Sequence, residues 1–283
     1  MAVIDTVFND AYLNQAILEI KQQYNADVFL KGKLLRKFGI NRSMTADTLC
    51  TVGTFQGNAA NETFATANTI DRVISDDSGD AGKQVTIEGL TVNTSTGDMT
   101  FVVQNATLGD QTAVALDTPL FRATRIYGSG GTYLVPQGAL AGNIAVYDSA
   151  ASGGLTSFLP TTAAATKVMI VAGEQQSTKA ATAISSVDFW IVTTVKLNLD
   201  RSAASTVTAS GDLYTRQLGN EFRPAGLQLQ CRTNGNASDK NEDKPYPIIP
   251  NNSDVRLMSL TATSAAITSG FIGGYLARIQ PRV

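Results

Sequence analysis

Asp239, Asn241 and Asp243 alternate within the pentapeptide DKNED, the spacing with which a calcium loop begins. Such a loop needs a glycine at its sixth position and a bidentate glutamate at its twelfth, where this chain has Lys244 and Pro250. A solvated loop is therefore the expectation. Asp76, Asp77 and Asp80 in SDDSGDAG read the same way, as a hydrated turn beside two glycines. GEQQSTK, from Gly173 to Lys179, has the residue types of a phosphate loop in the wrong order and without the second glycine. It reads as a turn.

The chain contains no histidine. That removes the Ser-His-Asp and Cys-His relays, the usual general base, and nearly all zinc hydrolase sites. No Gly-x-Ser-x-Gly elbow is present either. Carboxylate pairs remain as a route to glycan hydrolysis, but the acids are scattered over turns. The expectation is a protein that is not an enzyme and holds no cofactor and no metal.

A net charge of -2, with only 16% charged residues, excludes a nucleic-acid coat built on bulk basicity. One local exception is basic: Lys31, Lys33, Arg36, Lys37 and Arg42 follow one another with no intervening acid. They read as the wet side of an amphipathic helix whose dry side is Phe29, Leu30, Leu34 and Phe38, or else as an arm for nucleic acid or an acidic protein surface. The start MAVIDTVFND lacks the basic and apolar regions of a signal peptide, and no stretch approaches the ~20 apolar residues that cross a bilayer. Folding in a cytoplasm, away from membranes, is expected. Cys50 and Cys231 then read as thiols, Cys231 on the buried face of LQLQC.

Two periodicities organise the chain. Val3, Ile4, Val7, Phe8, Ala11, Ala16, Ile17, Ile20 and Tyr24 recur at helical spacing, which with the basic run predicts a helical arm over residues 1–41. Beyond it the period changes to two. In KQVTIEGLTVNTSTGDMTFVVQN, Val85 and Ile87 and then Met99, Phe101 and Val103 share an apolar face across a polar turn. In SVDFWIVTTVKLNLD, Val187, Phe189, Ile191, Val195, Leu197 and Leu199 form one stripe, with Trp190 opposite it. Roughly ten such strands, joined by irregular turns, predict an antiparallel β-sandwich of jelly-roll type over residues 42–283.

Four stretches resemble a family of bacteriophage virion structural proteins of marine and cyanobacterial phages. They are RKFGIN (Arg36–Asn41), SDDSGDAGKQVTIEGL (Ser75–Leu90), LFRATRIY (Leu120–Tyr127) and PIIPNNSDVRLMSLTATSAAITSGFIGGYLARI (Pro247–Ile279). The family carries Lys-Phe-Gly-x-Asn, a small-residue run ending in Gly-Leu-Asp, FLR-x-x-R-x-Y, and a closing pair of strands with D-I/V-R and GYL. Thr91 departs from this pattern, standing where the aspartate is usual.

The resemblance implies a virion protein assembled in the bacterial cytoplasm. The first expectation is a capsid decoration or cement protein bridging major capsid subunits, with a neck, tail or fibre component as the alternative. Implied partners are the major capsid protein or other virion proteins, and further copies of the chain, with a trimer as the starting expectation. Nucleic acid is not an expected partner. A carbohydrate- or receptor-binding module is a further alternative, for which Tyr133, Tyr147 and Tyr246 are the loop-like aromatics. The expected assembly contact is the stripe Val7, Phe8, Ala11, Ile17, Ile20 and Tyr24 together with Lys31, Lys33, Arg36 and Lys37.

Overall fold

The computed structural model describes residues 11–41, 50–53, 63–129, 139–200, 207–233, 237–241, 247–261 and 267–281. It is mainly β, with antiparallel sheets and one N-terminal helix. Helix α1 (Ala11–Tyr24) is rich in good helix formers and ends where Asn25 turns left-handed at φ 45°. β1 (Ala26–Asn41) and the short β2 (Cys50–Thr51) follow. Next come β3 (Ile70–Ser75), β4 (Gln84–Val92), β5 (Met99–Thr107), β6 (Val114–Leu120), β7 (Arg122–Gly128) and β8 (Ile144–Asp148). A small hairpin, β9 (Leu155–Thr156) and β10 (Leu159–Pro160), precedes β11 (Thr166–Ile170). The remainder is β12 (Ala181–Ile184), β13 (Asp188–Asp200), β14 (Val207–Gln217), β15 (Arg223–Pro224), β16 (Leu229–Thr233), β17 (Ala237–Asn241), β18 (Ile248–Ile249), β19 (Ser253–Thr261) and β20 (Ile267–Pro281).

Where one sandwich is expected over 42–283, the buried residues gather in two main cores. The first lies between the sheet β1-β20-β13-β17 and the sheet β12-β19-β14-β15, with β16 and β2 added to the second. Trp190, Val192, Val195 and Leu197 of β13 meet Ala209 and Leu213 of β14 and Val255 and Leu257 of β19 there. The second core lies between β11-β8-β3-β6 and β5-β4-β7, joining Ile70, Val73, Ile144 and Val168 to Val85, Ile87, Ala123 and Ile126. Residues 63–172 build this second sandwich as an insertion between β2 and β12 of the first. Each sandwich follows the same physics: alternating side chains put one face of each sheet into a shared dry layer.

The helical reading of 28–38 is corrected. Those residues belong to β1, which pairs antiparallel with β20 from Ala26↔Pro281 to Asn41↔Thr268. Leu30, Leu34 and Phe38 stand four apart, a spacing that fits one face of a helix and equally one side of a strand. Helix α1 instead lies on the outer face of that sheet, where Leu13, Ala16 and Ile20 pack on Phe189, Ile191 and Ala277. The first sandwich therefore carries a third, helical layer.

Trp190 does lie opposite Phe189 and Ile191, which face α1. The expected single stripe from Val187 to Leu199 is nevertheless interrupted. The register with β20 shifts between Val192 and Thr194, a bulge that brings Val195, Leu197 and Leu199 onto the tryptophan's side. Val187 is exposed. Trp190 is fully buried in the main core of its own chain. Its indole passes over Gly274, where any Cβ would collide with the indole nitrogen and with the β13 backbone.

The β4–β5 hairpin also differs from expectation in part. Val85 and Ile87 enter the second core, but their partners across the ladder are Ala106 and Gln104. Phe101 and Val103 are about half exposed on the other face. Gln104 sits near the open side of the sandwich and bonds both ways to Thr118 of β6, Nε2 to the carbonyl at 2.8 Å and Oε1 from the amide at 2.9 Å. A side chain thus replaces a missing strand pairing between the two sheets.

Candidate functional site at the junction of the two sandwiches

β7 leaves Phe121 and enters the second sandwich with Arg122, whose side chain points back towards β19 of the first. Arg122 is 4% exposed and Asp254 1%. Its Nε and Nη2 donate to the two carboxylate oxygens of Asp254 at 2.7 and 2.9 Å, a bidentate pair. Nη1 donates to the carbonyls of Ala65 and Phe121 at 2.6 and 2.9 Å. Arg216 of β14 adds a third bond to Asp254, from Nε to Oδ2 at 3.0 Å. One buried carboxylate thus holds two guanidinium groups from two different sandwiches.

Aromatic rings keep these cations in place. Phe64 and Phe222 lie with centroids 5.1 Å apart. Arg216 stacks over both, at 4.7 and 4.4 Å. Arg256, two residues after Asp254 on β19, lies 4.0 Å over Phe222, and Arg122 lies 3.6 Å over Phe121. Such contacts are worth about 0.5–2 kcal/mol each, most where water is excluded. Together with Val92, Asn93, Thr94 and Leu218 these residues line a cleft of about 660 Å³.

Further contacts run along the same seam. Lys37 of β1, 6% exposed, reaches the carbonyl of Thr124 at 3.4 Å. Lys179 reaches the carbonyls of Ala123 and Lys167 at 2.9 and 3.0 Å. Leu90, Val92 and Met99 of the second sandwich pack with Ala183 and Leu218 of the first. Ser177 both donates its amide to the Ile126 carbonyl and accepts the Ile126 amide through Oγ. GEQQSTK is therefore a connector running beside β7.

The acidic turn is the other departure. Asp80 is fully buried, far from a hydrated turn. It accepts from Ser75 Oγ at 2.7 Å, Lys83 Nζ at 2.8 Å, and the amides of Ala141 and Gly142 at 2.7 and 2.9 Å. Burial pushes its pKa upward, but these bonds outweigh burial and hold the carboxyl below its ordinary value. Asp76 receives both nitrogens of Asn143 at 2.7 Å, and Asp77 caps the Gly79 amide. All three acids pin loops in place.

Of the expected assembly residues, Ile20 is buried under α1, Ile17 is half-buried, and Ala11 is exposed. Tyr24 is exposed at its rim and meets Phe189 edge-on, with centroids 4.8 Å apart. Arg36 is exposed, whereas Lys37 turns into the seam. Val7 and Phe8 lie outside the described residues, as do the side chains of Lys31 and Lys33. Asp239 and Asn241 belong to β17, paired with Leu197 and Val195 of β13, so the loop expected there is a strand; Asp243 is outside the described residues. Among the described residues no three acids and cysteines converge as a metal site. Cys50 and Cys231 are both buried and form no disulfide. Tyr147 is buried in β8; Tyr133 and Tyr246 are outside the described residues.

Sequence reasoning missed Arg122, Asp254, Arg216 and Arg256 as a group. Arg122 stands in LFRATRIY and Asp254 and Arg256 in SDVRL, but nothing local to either stretch marks them as partners.

No family model and no curated protein matches this chain. Among solved structures, the tandem CBM22 domains of Xyn10C from Paenibacillus barcinonensis align over 90% of this chain and 93% of theirs, at 11% identity and a TM-score of 0.18. A VP2 mutant of infectious bursal disease virus aligns over 96% and 84%, at 10% identity and a TM-score of 0.11. At such scores neither likeness bears on fold or function.

Proposed function

We propose that this chain is a structural protein of a bacteriophage virion, a capsid decoration or cement protein that bridges major capsid subunits. The observation that carries the reading is where the resemblance-bearing residues go. Lys37 of RKFGIN meets Thr124 of LFRATRIY, and Arg122 of LFRATRIY meets Asp254 of SDVRL. These residues join two sandwiches into one unit, which supports a component that acts through its outer surfaces.

A double sandwich offers broad outer surfaces to neighbours, in the manner of proteins that act by contact. Apolar surface for such contact lies on α1, at Tyr12 and Leu18, and on β5, at Phe101 and Val103. The assembly contact on this reading uses the outward side of α1, with Ala11 and Tyr24, and the exposed Arg36 of β1. Particles purified through a density gradient test it. The chain should travel with the particles after washing at high salt; a chain left entirely in the soluble fraction overturns the reading.

A further inference from the structure

The junction uses its three arginines unequally. Arg122 has every nitrogen engaged, on Asp254, Ala65 and Phe121. Arg216 donates only through Nε, so its Nη1 and Nη2 make no hydrogen bond among the described residues. Its side chain is 22% exposed and lines the cleft. Stacking on Phe64 and Phe222 fixes the plane of that guanidinium before anything binds. A fixed fork with both terminal nitrogens open matches two oxygens of one anionic group.

Charge points the same way. Arg122 and Arg216 both line the cleft, and both reach the one carboxylate of Asp254. Two positive charges on one negative leave an excess that favours an anion in a partly desolvated cleft. At the rim, Asn220 is exposed and its side-chain amide makes no hydrogen bond among the described residues; Thr94 lines the same rim. Val92, Leu218 and Phe121 supply an apolar floor. About 660 Å³ lies in the range of small-ligand sites, roughly 300–1,000 Å³.

We propose that this cleft is a binding site for a small organic anion of sugar size, its carboxylate or phosphate held by the two terminal nitrogens of Arg216. The neutral part of the ligand lies on the apolar floor, and Asn220 contacts its hydroxyls. The site stands whether or not the chain belongs to a virion, because it rests on the cleft alone.

Isothermal titration of the full chain with glucuronate, glucose 6-phosphate and glucose tests it. These probes share a ring and differ in the anionic group. At least one anionic sugar should bind at one site per chain, ten-fold or more tighter than glucose. Preference for glucuronate assigns a carboxylate ligand, and preference for glucose 6-phosphate a phosphorylated one. Arg216→Gln should abolish the difference. Asn220→Asp, at an exposed position, should weaken anion binding at least several-fold with an unchanged thermal midpoint, and it serves if Arg216→Gln unfolds. Equal behaviour of glucose and both anions overturns the proposal. So does anion binding that neither substitution alters.

Discussion

Arg122 and Asp254 lie 132 residues apart in the chain and form a bidentate ion pair, both almost wholly buried, between two sandwiches. Breaking such a pair from one side strands a charge in a dry setting. Asp254→Ala should therefore cost about 3–5 kcal/mol, read from urea unfolding. Arg122→Met combined with Asp254→Leu should recover part of that loss, because the fully buried pair is removed whole and only the partly exposed Arg216 loses its carboxylate. A cost below about 1 kcal/mol for the single change would show that the junction does not depend on the pair.

Asp80 makes stability depend on acid. Its folded pKa lies below its unfolded value, so the folded state binds fewer protons and gains stability above the ordinary carboxylate range. That contribution is lost as pH falls from the unfolded value through the depressed folded one. Asp80→Asn should flatten the acid limb of a stability-versus-pH curve relative to the unaltered chain. Parallel curves for the two proteins would contradict the assignment. Asp212, whose carboxyl is pushed up chiefly by burial, contributes with the opposite sign and is common to both curves.

Trp190 is the only tryptophan, so its emission reports one site. Buried in the first core, it should emit at short wavelength in the isolated chain and shift to the red on unfolding. Gly274→Ala places a methyl group against the indole and should destabilise by about 1–3 kcal/mol. An emission maximum typical of a solvated indole in the native chain would contradict this packing.

Helix α1 and β1 are part of the first sandwich. Removing residues 2–40 takes away a strand paired along β20 and uncovers Phe189 and Ile191. The truncated chain should aggregate. Leu13→Ala and Ile20→Ala should each cost about 2–5 kcal/mol, as large-to-small changes in a core do. A truncated protein that remains monomeric and cooperatively folded would show that the N-terminal segment is dispensable to the sandwich.

Strand content and the two-sheet principle were legible because alternation is a local property. β13 was plain from Phe189 to Leu199, yet a bulge at one residue moved half its stripe to the other face, and alternation carries no mark of a bulge. β5 was ambiguous for a different reason: Phe101 and Val103 are apolar on one face, and Val102 and Ala106 on the other. Only the ladder with β4 selects between them. The junction was illegible because each of its charges looks like a surface charge until its partner, far away in sequence, is known.

Stoichiometry tests most directly whether the chain is the virion component proposed above. Quantitative mass spectrometry of purified particles, scaled to the major capsid protein, gives the copies per particle. A decoration or cement protein predicts a fixed ratio matching the sites of the capsid lattice. A few copies per particle would move the chain to the neck or tail, and its absence from washed particles would contradict the claim outright.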